Sequence, residues 1–174
     1  MAAFLYSPNT TYNATSSSSP PSSPSLGNAT YSNMLLEHAV TLYRVANETT
    51  PYSTFASSIP AVSSAYGSSN WGDKLAIAAL SLALATDDST YYADAYRVYQ
   101  SYALTKSNRP WNWDSRYPAL YVLFAEVSVA RPGLAAGAGL DANVTGWQAE
   151  CENYFDKMVA GNLGDAYRTN GKSD

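Results

Sequence analysis

Two stretches of this chain are apolar nearly all round at helical length, and each is followed by a stretch that is apolar on one face only. The first runs Leu75-Ala76-Ile77-Ala78-Ala79-Leu80-Ser81-Leu82-Ala83-Leu84-Ala85, and the second Ala119-Leu120-Tyr121-Val122-Leu123-Phe124-Ala125. A helix without a polar face must be covered on most sides. After the first comes a segment starting near Ser89, with Tyr92, Ala95, Tyr96 and Tyr99 on one face and charges on the other. After the second comes an amphipathic run over 144–160, stopped by Gly161. No strand alternation competes with this pattern. Covered helices alternating with half-exposed ones predict an all-α, double-layered toroid or solenoid, with inner helices buried and outer helices half exposed.

The remaining punctuation fills in the order. An earlier helix is expected over 32–46, with Leu35, Leu36, Ala39, Leu42, Tyr43 and Ala46 at three- and four-residue spacing. A polar loop with Pro51 and Pro60 separates it from the helix over 73–85. The second apolar helix reads as starting at Asp114, although Pro118 in its interior would cost a backbone hydrogen bond and draws the start toward Tyr117. Arg131-Pro132-Gly133 ends it, and Ala135 to Gly139 reads as a small-residue loop. Residues 1–30 form a Ser/Thr/Asn/Pro segment that cannot bury a core, so they read as a linker or glycosylated loop, with the folded domain over 31–174.

Composition limits the partners. The net charge is −4 and no Lys/Arg stripe exists to neutralise phosphates, which argues against nucleic acid. No apolar run is long enough to span a membrane. The single cysteine, Cys151, excludes an internal disulfide and reads as a small buried hydrophobe. His38 lacks ligand partners, and Asp87-Asp88 reads as the turn opening the next helix, so no metal or cofactor is expected. Asn-x-Ser/Thr acceptors stand at Asn9, Asn13, Asn28, Asn47 and Asn143, consistent with a secreted glycoprotein.

Chemistry concentrates where loops become inner helices. One such mouth carries Tyr66, Trp71 and Asp73, the other Trp111, Trp113 and Asp114. Aromatic faces pack against the C–H faces of pyranose rings, and carboxylates accept from sugar hydroxyls. Each residue also has a plainer reading: the tryptophans and Tyr66 as packing between helices, the aspartates as helix N-caps. Trp147, on an outer helix, reads as packing.

The order Leu35-Leu36-Glu37-His38-Ala39, Ser58-Ile59-Pro60-Ala61, Asp73-Lys74-Leu75, Ala85-Thr86-Asp87-Asp88-Ser89-Thr90-Tyr91 and Trp113-Asp114 resembles the central part of family 9 glycoside hydrolases, inverting endo-β-1,4-glucanases. The resemblance implies an (α/α)6 toroid of helical hairpins, about the middle half of it present here. It also implies a β-glucan polysaccharide as substrate, a monomeric full-length protein, and a glucan cleft lined by Tyr66, Trp71, Trp111, Trp113 and Asp114. Departures are equally specific. The family's Asp-Ala-Gly-Asp base motif belongs upstream of the matched region and its general-acid glutamate downstream, so no catalytic residue is assigned in this chain. Lys74 stands where the family usually has Glu. Two other readings stay open: another glycosidase or a polysaccharide lyase on the same toroid, and a non-catalytic helical sugar-binding or scaffold protein. No fixed repeat period favours the last.

Overall fold

The alternation of covered and half-covered helices is realised as two packed helical hairpins. The structure, a computed structural model, describes residues 28–164. The chain divides into two compact units at Glu48/Thr49. The first contributes helix α1 (Ala29–Glu48). The Asn28 side-chain oxygen accepts from Tyr31 N at 3.0 Å and so caps it. Leu42, expected on its apolar face, is 71% exposed. The expected linker up to residue 27, with Asn9 and Asn13, lies outside the described residues.

The second unit opens with short turns, α2 (Phe55–Ser58), a 3-10 turn (Pro60–Val62) and α3 (Ser63–Tyr66). Its main elements are α4 (Gly72–Thr86), α5 (Ser89–Ser101), α6 (Tyr117–Ala130), α7 (Pro132–Gly137) and α8 (Val144–Ala160). The apolar helices α4 and α6 pack on one another as the inner layer, with α5 against α4 and α8 against α6 as the outer layer. This is the all-α, hairpin-built arrangement expected from the sequence, and among the described residues no strand occurs.

Local chemistry sets the boundaries. Asp87 takes the left-handed conformation (φ 57°) that closes α4, and Asp88 caps α5 by accepting from Thr90 N at 2.8 Å. Gly161, at φ 74°, closes α8. One boundary falls at the later start that Pro118 suggests, and one expectation needs correction. Helix α6 starts at Tyr117 rather than Asp114, because Asn112 Oδ1 accepts from the backbone N–H of Asp114 (2.9 Å) and Ser115 (2.8 Å) and holds them in a turn. Pro118 then falls in the first turn, where no backbone donor is required. The small-residue loop is in fact largely helix α7: Pro132 fits a first turn, and Leu134 and Ala135 are buried.

The core between layers is aromatic. Phe124 of α6 stacks flat on Trp147 of α8, with centroids 4.0 Å apart and planes at 5°. It also meets Tyr92 and Tyr99 of α5 edge-on, at 5.9 and 5.7 Å. Cys151 is half-buried; burial pushes its thiol up, helped by Glu150 and Glu152, which makes it a poor nucleophile.

Burial also raises the phenols of Tyr92, Tyr154, Tyr99 and Tyr121, the last two by most. Tyr99 is pushed up to about 12, by desolvation first and by the neighbouring Glu150 charge, and Tyr121 is raised further, again by desolvation. An unfolded phenol ionises near pH ~10. The folded chain therefore holds these protons more tightly than the unfolded chain. That contribution is whole below pH ~10 and is lost as pH climbs toward the folded values. Denaturant midpoints measured from pH 9 to 12 should fall steadily above pH ~10, and phenolate absorbance from these two groups should appear with unfolding. Midpoints unchanged over that range would contradict it.

Candidate functional site: an aromatic mouth at the inner-helix N-termini

One carboxylate, Asp114, makes the densest set of links between the loops entering α4 and α6. Asp114 Oδ1 accepts from the Ser68 hydroxyl and from Ser69 N, both at 2.9 Å, and Oδ2 accepts from the Ser69 hydroxyl at 2.6 Å. Lys74 Nζ lies 3.6 Å from Oδ1, and Arg109 Nη1 lies 3.7 Å from Oδ2 and donates to Ser69 Oγ at 2.6 Å. Burial pushes the Asp114 carboxyl up, but the Ser69 and Ser68 donors and the Lys74 ammonium outweigh it and hold it below its ordinary value.

Asp73 plays a different part. It is wholly buried in the first turn of α4 and its Oδ2 accepts from Arg116 N at 2.6 Å, at the threshold of α6. Its Oδ1 faces Lys74 Nζ at 3.1 Å, close enough for an ion pair but without the alignment of a hydrogen bond. Lys74 Nζ also donates to the carbonyl of Asn70 at 3.1 Å and to that of Asp114. One ammonium thus bridges both carboxylates and both loops.

The aromatic residues divide. Tyr66 (59% exposed) and Trp113 (55% exposed) meet edge-to-face, with centroids 5.7 Å apart, and Trp113 Nε1 donates to Gly67 O at 3.4 Å. Trp111, 58% exposed, carries the Arg116 guanidinium over its ring at 5.8 Å. Trp71 is half-buried between Tyr52 and Tyr102, and its Nε1 donates to the Tyr102 hydroxyl at 2.9 Å. Gly72 permits that packing, since a Cβ there would stand 2.6 Å from Tyr102 Cγ. The structure therefore brings Tyr66, Trp113 and Asp114 together, sets Trp111 exposed on the same loop, and packs Trp71 behind them.

Helix α8 braces the loop from behind. Tyr154 donates its hydroxyl to Arg109 O at 3.1 Å. Glu150 accepts from the Tyr99 hydroxyl and Lys106 N, both at 3.1 Å, and from the Thr105 hydroxyl. Sequence reasoning did not single out Lys74, Arg109, Ser68 or Ser69 as site residues. The replacement of an expected acid by Lys74 was the available signal. Among the described residues no cluster of His, Cys, Asp and Glu is suited to a metal ion.

These observations define a class: an all-α chain built of (α/α) hairpins, with an exposed aromatic mouth where its inner helices begin. Comparison with family models places it more closely. The model for glycosyl hydrolase family 9 matches residues 14–173, and the chain belongs to that family of cellulase-like glycoside hydrolases. No curated protein and no solved structure matched it. Of the readings left open by the sequence, the family match supports membership of the glycoside hydrolases.

Proposed function

We propose that this chain is part of an endo-β-1,4-glucanase that cuts internal bonds of cellulose-like glucans with inversion, and that it supplies one cleft wall rather than the reacting groups. The observation that carries this reading is the exposed Tyr66–Trp113 pair held at the inner-helix mouth by Asp114. Exposed aromatics on a braced loop offer flat apolar faces to pyranose rings at small entropic cost. Trp111 extends that wall, while Trp71 supports it from behind.

An inverting enzyme needs a protonated acid and a base carboxylate about 6.5–9.5 Å apart with water between them. Asp73 is buried against Arg116 N and Lys74, so it cannot reach a glycosidic oxygen. Asp114 is held below its ordinary pKa, the wrong direction for a proton donor, and its oxygens are engaged by Ser68 and Ser69. The isolated chain is therefore a glucan binder without hydrolysis. Further parts of the reading are a secreted, monomeric full-length protein with its partial catalytic domain over 31–174 behind a linker. The exposed Asn28 and Asn143 are then the readiest glycan acceptors among the described residues.

The test is calorimetry and reducing-end assay with cellohexaose on the chain as it stands. Binding without hydrolysis is expected, with affinity about tenfold weaker in Trp113→Ala. Unchanged affinity in that variant would remove the wall. Hydrolysis that survives repurification and disappears in Asp114→Ala would overturn the non-catalytic assignment.

A further inference from the structure

Among the described residues three cations stand at the mouth, and two of them are matched. Lys74 faces Asp73 and Asp114, and Arg109 faces Asp114. Arg116 is the third. Among the described residues no carboxylate forms an ion pair with its guanidinium. One nitrogen, Nη1, donates to the carbonyl of Asn112, and the group lies over the ring of the exposed Trp111. A guanidinium carries five N–H donors in a planar fork that matches a carboxylate. This positive charge, unmatched by a carboxylate among the described residues, belongs to a chain whose net charge is −4, so general basicity does not account for it.

We propose that Trp111 and Arg116 form a subsite for an anionic pyranose, a sugar carrying a carboxylate such as a uronic acid substituent on a β-glucan. The inference rests on the reading of this mouth as a glucan wall and adds a preference within it. Trp111 supplies the apolar face, and Arg116 supplies charge-assisted donors at the ring's edge, where a C6 carboxylate projects. A neutral glucan uses the first contact and leaves the second to water.

The probes are cellotetraose and the same oligosaccharide oxidised to a uronate at C6, titrated into the full chain and followed by tryptophan fluorescence. The uronate should bind about tenfold more tightly at low salt. That advantage should shrink at high salt, as screening requires. It should vanish in Arg116→Gln, while affinity for cellotetraose moves less than about twofold, and Arg116→Lys should keep part of it through charge alone. Equal affinity for the two probes, or an advantage that survives Arg116→Gln, overturns the subsite and leaves the glucan wall standing. Failure of both probes to bind overturns the glucan wall and the subsite together.

Discussion

Truncating Phe124 to alanine should cost about 4 kcal/mol of folding stability, the largest loss expected from any single substitution here. The side chain is fully buried and joins three elements at once. It lies flat on Trp147 of α8 at 4.0 Å and meets Tyr92 and Tyr99 of α5 edge-on. Alanine would lose the transfer free energy of the ring and leave a cavity walled by three large aromatics that cannot collapse together. Edge and stacking contacts add about 0.5–1.5 kcal/mol per pair beyond burial. Such a loss is a large share of the 5–15 kcal/mol that typical domains possess. Urea denaturation of the full chain with tryptophan fluorescence measures it. A change under about 1.5 kcal/mol would mean that Phe124 does not link the layers. Phe124→Leu, which keeps much of the volume, should cost well under half as much.

The same contacts show which parts of the fold could be read from sequence. Helices α4 and α6 were legible because continuous apolar runs leave them no polar face, and Tyr92, Ala95, Tyr96 and Tyr99 were legible on α5 because their spacing gives one stripe, buried except at the half-buried Tyr96. Helix α7 was not. Arg131-Pro132-Gly133 is a stop signal when read forward, yet proline is equally suited to a first turn, and only the burial of Leu134 and Ala135 decides between them. At the mouth, sequence marked the aromatics without sorting them. Trp71 and Trp113 stand at the same kind of loop-to-helix junction. Their fates differ because Tyr102, distant in sequence, meets one indole N–H and leaves the other near Gly67 at the surface. The role of Asp114 was hidden for a similar reason. Its partners Ser68 and Ser69 lie on the other inner-helix loop, and local capping rules see only neighbours in sequence.

Lys74 shows how much rides on such a distant contact, and Lys74→Met should destabilise the chain by about 3 kcal/mol. Asp73 is wholly buried, and the Lys74 ammonium 3.1 Å away is the one group among the described residues that answers its Oδ1. Removing that cation leaves a desolvated carboxylate whose other oxygen has only the Arg116 N–H. Breaking a buried pair this way costs about 3–5 kcal/mol, and the lower end applies because the lysine side chain is 33% exposed and water can follow. The loss has a pH signature. The Lys74 charge is one of the influences holding Asp114 below its ordinary pKa, after the Ser69 and Ser68 donors that oppose burial. A carboxylate depressed on folding contributes stability above the ordinary carboxylate range and loses it as pH falls through its folded pKa. In Lys74→Met the folded pKa rises toward the ordinary value, so the stability lost on acidification through Asp114 shrinks and its loss is complete at a higher pH than in the parent. Asp73→Asn in the same chain removes the stranded charge and should recover about half of the loss at pH 7, because a neutral amide can still accept from Arg116 N–H. Denaturation midpoints of the parent, the single variant and the double variant across pH 3 to 8 decide it. A Lys74→Met chain within about 0.5 kcal/mol of the parent, with an unmoved acid limb, would reduce the bridge to a surface pair and leave the hydrogen bonds of Asp114 and Asp73 to hold the two loops together.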